Sequence, residues 1–152
     1  MRKVGSIAVL VALALPHDVQ QAIVKKFPRF AYVPTRLPDG NRYSSYSFDQ
    51  SGFRVLFRRA GHSHAELQYS GDDLRLRKSY TSVPPVCSRL PGPTKTFTAN
   101  GVEVAWTVDA GGDYAWRCFD NHIDITAGAA TRADQVSTGA MVQILAHLER
   151  LS

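Results

Sequence analysis

Hydrophobic and polar positions alternate with a period of two through three successive runs between Gly101 and Ala127, GVEVAWTVDAGGDYAWRCFDNHIDITA. In the first run Val102, Val104, Trp106 and Val108 fall on one side and Glu103, Thr107 and Asp109 on the other, the pattern of a half-buried strand. Gly111-Gly112 turns the chain, and Tyr114, Trp116 and Cys118 share one face of the second run. After Asp120-Asn121, Ile123 and Ile125 alternate with His122, Asp124 and Thr126 in the third. The spacing predicts two hairpins at the centre of a sheet.

The same period recurs upstream. A strand is expected over Arg42 to Phe48, then another from Phe53 to Arg58, with Phe53, Val55 and Phe57 opposite Arg54, Leu56 and Arg58. Next, Ala65, Leu67 and Tyr69 oppose His64, Glu66 and Gln68. Ser70-Gly71-Asp72-Asp73 reads as a turn, after which Leu74 and Leu76 oppose Arg75 and Arg77. These runs predict a meander with one face in the core. The segment Thr81 to Thr94, with Pro84, Pro85, Pro91 and Pro93, cannot be a central strand, because proline donates no ladder hydrogen bond. Lys95 to Ala99 resumes the sheet, and Asn100-Gly101 supplies a tight turn.

Helical spacing appears near the two ends of the domain. Val19, Ala22, Ile23 and Phe27 mark a short helix capped by Asp18, ended by Pro28 and exposing Gln20, Gln21 and Lys25. Met141, Ile144, Leu145, Leu148 and Leu151 mark a helix over Ser137 to Arg150, capped by Ser137 or Thr138, that should lie across one sheet face. A pocket beside Met141, Ile144 and Leu148 is expected from that docking. The fold class is α+β: a mainly antiparallel sheet of about six to eight strands packed by the C-terminal helix, with a short N-terminal helix.

Composition adds the compartment. The first fifteen residues, MRKVGSIAVLVALAL, join Arg2 and Lys3 to an apolar run too short to cross a bilayer, which needs about 20 residues. They read as a secretory signal or an N-terminal anchor, with Ala12-Leu13-Ala14 as the small-residue cleavage site and 16–152 as one globular domain. A secreted or extracytoplasmic location follows, free or tethered by an uncleaved N-terminus. No transmembrane helix is expected. An even cysteine count in an exported chain points to a Cys87–Cys118 disulfide. The formal net charge of +5 raises nucleic acid as a partner, but the charge is scattered in runs no longer than two residues, which argues against it.

Candidate chemistry is sparse. His62 and His64 in an H-x-H pair, with Asp72 and Asp73 near the facing turn, form the one weak metal or catalytic candidate, lacking a third ligand of defined spacing. No G-x-S-x-G elbow, Cys-His pairing or phosphate-binding glycine loop is present, and no cofactor is implied. The candidate binding group is instead an arginine face, Arg54, Arg58, Arg75 and Arg77, able to hold carboxylate, phosphate or an acidic partner through paired N–H donors.

The order YVPTRLPDG, paired strands, a cysteine in a proline-rich loop, NGVEVAWT, YAWRC and a terminal amphipathic helix resembles a loose group of small exported bacterial proteins of unassigned function. It is also similar to the extracytoplasmic domains attached to some anti-sigma regulators. The resemblance covers roughly Ala31 to Leu151 and implies an envelope domain without catalytic residues. The expected function is a non-enzymatic exported domain that binds or senses a ligand or protein partner at the cell envelope. The alternatives are a secreted enzyme of unknown type or a structural envelope protein.

Overall fold

The computed structural model describes residues 15–38, 40–59, 61, 67–76, 94–109, 112–119, 123–129 and 136–152, with the backbone alone at 94, 106–109, 112 and 113. Helix α1 spans His17–Lys26, and a short strand β1 spans Tyr32–Pro34. Then come β2 (Asn41–Phe48), β3 (Gly52–Arg59), β4 (Leu67–Asp73) and a 3-10 turn at Leu74–Leu76. The second half holds β5 (Thr94–Ala99), β6 (Val102–Asp109), β7 (Gly112–Phe119) and β8 (Ile123–Ala129), closed by α2 (Thr138–Ala146) and β9 (Leu148–Arg150).

Seven strands form one antiparallel sheet in the order β2-β3-β4-β8-β7-β6-β5, and β1 with β9 forms a separate two-stranded ribbon. The expected α+β class with its C-terminal helix is the one observed. Hydrophobic alternation decides which face is covered. Phe53, Val55 and Phe57 of β3, Leu67 and Tyr69 of β4, and Ile125 and Ala127 of β8 are all buried on one side. Val19 and Ile23 of α1, Phe27 just beyond its end, and Met141, Ile144 and Leu145 of α2 pack into the same core. Each such Leu, Ile, Val or Phe withdrawn from water stabilises by about 1.5–3 kcal/mol. An aromatic group ties α1 to the sheet: Phe27 meets Phe48 edge-on at 5.4 Å, and Phe30 stacks on Phe53 at 6.1 Å.

Tyr69 fastens the ribbon to the main sheet. Its side chain is fully buried, its hydroxyl donates to the Tyr32 carbonyl at 2.8 Å, and burial pushes the phenol well above its usual range. At the other end, Asn100 and Gly101 take φ of 53° and 72°, the left-handed pair that a two-residue hairpin requires.

Five local expectations are corrected. Ser70 to Asp73 is not a turn: Gly71 pairs with Phe53 on one side and Ile125 on the other, so the run lies inside a central strand. Leu74 to Leu76 is accordingly a 3-10 turn and not a strand with arginines on one face. The C-terminal helix stops at Ala146, because the chain beyond it pairs with β1 and the His147 carbonyl accepts from both the amide and the hydroxyl of Thr35 at 2.9 Å. Leu148 and Leu151 therefore join the core margin from an extended segment. Gln20, expected on the exposed side of α1, is buried with its amide donating to the Leu15 carbonyl at 2.8 Å. Pro16 occupies the N-cap position with no side-chain cap, and Asp18 sits in the first turn, where its charge suits the helix dipole. At α2 the cap is the expected Ser137, whose hydroxyl accepts from the Ala140 amide.

The carbonyl end of α2 is held from the sheet. Arg117 of β7 donates to the Leu145 carbonyl at 3.0 Å and Asn100 to the Ala146 carbonyl at 3.1 Å, satisfying groups that a helix terminus leaves open. The Arg117 guanidinium lies 4.5 Å from the Phe119 ring, which stacks on Tyr32 at 4.2 Å.

Gly71 is the tightest approach in the core. A Cβ there would stand 2.6 Å from the Phe53 ring and 3.1 Å from Ile125 Cδ1. Phe53 cannot retreat, being buried among Phe27, Phe30 and Tyr69. Gly71→Ala is expected to destabilise the fold by about 1–3 kcal/mol through overpacking, read as a lower urea midpoint with an unchanged slope.

Candidate ligand-binding face

The helices cover one side of the sheet, and the other side of β2, β3 and β4 is polar. Gly52, Arg54, Leu56 and Arg58 alternate with the core residues of β3, and Gln68, Ser70 and Asp72 do the same on β4. Register aligns these residues into rows. Ser47, Arg54, Ser70 and Thr126 lie directly opposite one another across β2, β3, β4 and β8, and Trp116 of β7 continues the row. Paired side chains on such a row stand about 4.5–5.5 Å apart.

Arg42 faces Arg58 directly. An irregularity between Tyr43 and Ser45 puts it there, since one extra residue in a strand turns every following side chain to the opposite face. Arg42, Arg54 and Arg58 are exposed, and none makes a hydrogen bond or ion pair among the described residues. Two guanidiniums held opposite one another repel, at a cost of a few tenths of a kcal/mol up to about 1 kcal/mol. The three guanidiniums are thus open to an anion among the described residues, with the Asp72 carboxylate on the same face toward the β2–β3 turn.

The structure splits the four arginines expected to act together. Arg54 and Arg58 share the outer face, about 13 Å apart along the strand. Arg75 belongs to another group. Its guanidinium grips Asp73 with two bonds of 3.1 Å, its backbone amide adds a third at 3.0 Å, and Arg29 supplies a fourth at 2.9 Å. Arg77, His62 and His64 lie outside the described residues, as do Cys87, the segment 77–93 and the side chains of Trp106, Val108 and Asp109. Asp72 is on the outer face and Asp73 on the core side, so the two do not act as one pair. Cys118 is exposed on β7 in the same facing as Trp116, and no free cysteine stands among the described residues. No group of three or more metal-ligating side chains stands among the described residues, and no helix among them is long and apolar enough to cross a membrane.

A cavity of about 190 Å³ opens where the row meets the β2–β3 turn, lined by Ser47, Phe48, Asp49, Gly52, Phe53, Arg54, Ser70 and Asp72. Its acidic wall is fixed. Asp49 Oδ1 accepts from the amides of Ser51 and Gly52 and lies 3.0 Å from the Ser51 hydroxyl. That hydroxyl has one proton to give and stands closer, 2.7 Å, to Asp72 Oδ1. Gly52 makes the arrangement fit, because a Cβ there would come within 2.7 Å of the same Asp72 oxygen. Ser51 is itself buried, so its hydroxyl orients the carboxylates and is not presented to a substrate. A second cavity, about 200 Å³, lies between α2 and the chain before β2, lined by Arg36, Leu37, Pro38, Ala140, Gln143 and Ile144. Of the residues expected to form a pocket beside α2, Ile144 alone lines it; Met141 is sealed in the core.

Sequence reasoning missed Arg42, Ser47, Ser70 and Asp49. The alternation places Ser47 and Ser70 on the polar side of their strands, which was a usable signal, but only the register brings them to Arg54. Comparison with protein-family models, curated proteins and solved structures found no match for this chain.

Asp73 anchors the corner beneath the cavity: its amide donates to the Ser51 carbonyl at 2.8 Å. Burial by itself would raise its carboxyl pKa, but the hydrogen bonds and charges of Arg75, with the charge of Arg29, outweigh burial and hold it below the usual carboxylate range. A lowered folded pKa means that the stabilisation is complete above the unfolded value of about 4 and is lost as pH falls through the folded one. Asp73→Asn should cost about 2 kcal/mol at neutral pH, less than a fully buried pair because both arginines are partly solvated. The gap from wild type, measured by urea unfolding, should narrow below about pH 4.

Proposed function

We propose that this protein is a non-enzymatic, exported cell-envelope domain that binds an anionic partner or ligand through the outer face of β2, β3 and β4. The observation that carries the reading is the set Arg42, Arg54 and Arg58, exposed, on one face and without a hydrogen bond or ion pair among the described residues. Arginines held at fixed spacing on a rigid sheet offer paired donors to carboxylate or phosphate groups at little entropic cost. Two helices fill the opposite face with apolar side chains, so the polar face is not required for the core.

Export is supported by the signal-like start, which joins Arg2 and Lys3 to a short apolar run. A Cys87–Cys118 disulfide belongs to the same reading. The chain has two cysteines and Cys118 is not a free thiol. Such a bridge would stabilise by about 3–4 kcal/mol through loop closure. Thiol titration of protein recovered from its native host should find no free thiol until reductant is added, and reduction should lower the melting temperature. Two titratable thiols in the untreated protein would remove both the bridge and this argument for export.

The binding role is tested by replacing Arg42, Arg54 and Arg58 together with Ser. Retention on envelope fractions should fall severalfold at low salt and lose most of its dependence on ionic strength, while the melting temperature stays within a few degrees of wild type. Unchanged retention would exclude this face.

A further inference from the structure

We propose that the cavity between α2 and the chain before β2 binds a small aliphatic carboxylic acid of about four to six carbons. The tail would lie against Leu37, Pro38, Ala140 and Ile144, and the carboxylate would stay at the mouth with Arg36 and Gln143. The site is beside α2, on the side of the sheet that the helices cover, and it does not depend on the function proposed for the outer face.

Three features of the cavity lead to this class. The first is how its lining divides. Leu37, Pro38, Ala140 and Ile144 give it an apolar wall, and Arg36 and Gln143, both exposed, give it a polar one. Neither the Arg36 guanidinium nor the Gln143 carboxamide has a partner among the described residues, and no acidic side chain stands among the described lining residues. A carboxylate takes paired bonds from a guanidinium and a further one from an amide N–H. An amine with the same tail meets like charge at Arg36, and an inorganic dianion gains nothing from the apolar wall, so a molecule with one carboxylate and one apolar end uses both halves.

The second feature is that both walls are already held. Thr35, next to Arg36, donates its amide and its hydroxyl to the His147 carbonyl, each at 2.9 Å. The Pro38 carbonyl accepts from the Asn41 amide at 3.1 Å and from the Asn41 carboxamide at 3.3 Å. The residues between are thus tied to the end of α2 on one side and to the start of β2 on the other, and Leu37 packs against the core. Across from them Ala140, Gln143 and Ile144, spaced three and four residues apart, share one face of α2. A site formed in advance binds with little ordering cost.

The third feature is size. The 200 Å³ available corresponds to roughly six or seven water volumes at ~30 Å³ each, room for a short tail and not for a long acyl chain or a folded partner. Ala140 lines the cavity with a methyl group alone, so a larger side chain there takes up the space a tail would use.

The test is titration of the full chain, followed by amide chemical shifts, with butanoate, hexanoate, octanoate, 1-hexanol and hexylamine as probes. Hexanoate should saturate, move the amides of Leu37, Ala140 and Gln143, and bind about tenfold more tightly than hexylamine. Affinity should rise roughly threefold to fourfold per methylene from butanoate to hexanoate, and octanoate should gain no more than about twofold over hexanoate because the cavity is then full. Arg36→Gln, at an exposed position, should weaken hexanoate about threefold to fivefold and leave 1-hexanol unchanged, the size expected of an exposed pair. Ala140→Leu should abolish saturable binding. Should that variant lose its fold, the Arg36→Gln comparison of hexanoate with 1-hexanol still decides the matter. Failure of hexanoate to saturate, equal binding of hexylamine, a gain from hexanoate to octanoate as steep as the earlier steps, or an equal effect of Arg36→Gln on 1-hexanol would overturn the proposal.

The triple variant with Ser at 42, 54 and 58 separates this site from the outer face, because it leaves every lining residue in place. It should keep hexanoate affinity within about twofold, since those arginines are not part of the cavity. A loss of hexanoate binding in that variant would assign the carboxylate to the outer face and overturn the site beside α2.

Discussion

Two meanders meet in this fold, and among the described residues one strand pairing, β4 against β8, turns them into one sheet. β2, β3 and β4 follow one another as neighbours, as do β5, β6, β7 and β8, and that ladder joins the groups. Along it Tyr69 meets Ala127, Gly71 meets Ile125 and Asp72 meets Asp124. The segments that pair are far apart in sequence, so their closure entropy is repaid only when the ladder forms with both helices docked over it. Gly71 is where the requirement is sharpest, since the Phe53 ring occupies the space a side chain would take. The same ladder lends the outer face its rigidity: Ser70 and Asp72 are bordered by strands on both sides.

Much of this was readable from the order of residues. Strands with one apolar face declare themselves by alternation, as FRVLFR does in β3, and Asn100-Gly101 marks a hairpin because only a few residue types accept a left-handed backbone. The misread segments are those where composition and pairing disagree. Ser-Gly-Asp-Asp has the residues of a turn, yet its glycine serves a close packing contact and its last aspartate an ion-pair cluster, neither visible locally. The helical stripe through Leu148 and Leu151 is genuine as a pattern, but those same leucines reach the core margin equally well from the extended chain that pairs with β1.

The candidate site was legible only in part, for a geometric reason. Arg54 and Arg58 fall on the polar side of a clear strand. Arg42 does not, because an unbroken hairpin register starting from Ser47 opposite Arg54 would bring it opposite Arg59 and onto the other face. The added residue in β2 reverses that parity. Arg75 looked equivalent to its neighbours until the 3-10 turn brought its guanidinium back onto Asp73. Charge counted along a sequence therefore overstated one side of this surface and understated the other.

The same irregularity in β2 has a bearing on self-association. Among the described residues β2 and β5 end the sheet, and the outer backbone of an end strand can offer N–H and C=O groups to a passing extended chain. In β2 the break between Tyr43 and Ser45 divides that ladder into two pieces, Asn41–Tyr43 and Ser45–Phe48, both shorter than the usual strand of five or six residues. A would-be partner strand finds no continuous register to lock into, and Arg42 of one copy approaches Arg42 and Arg58 of another with like charge. The device that assembles the basic face thus also blunts the nearer edge of the sheet against fibril-like stacking.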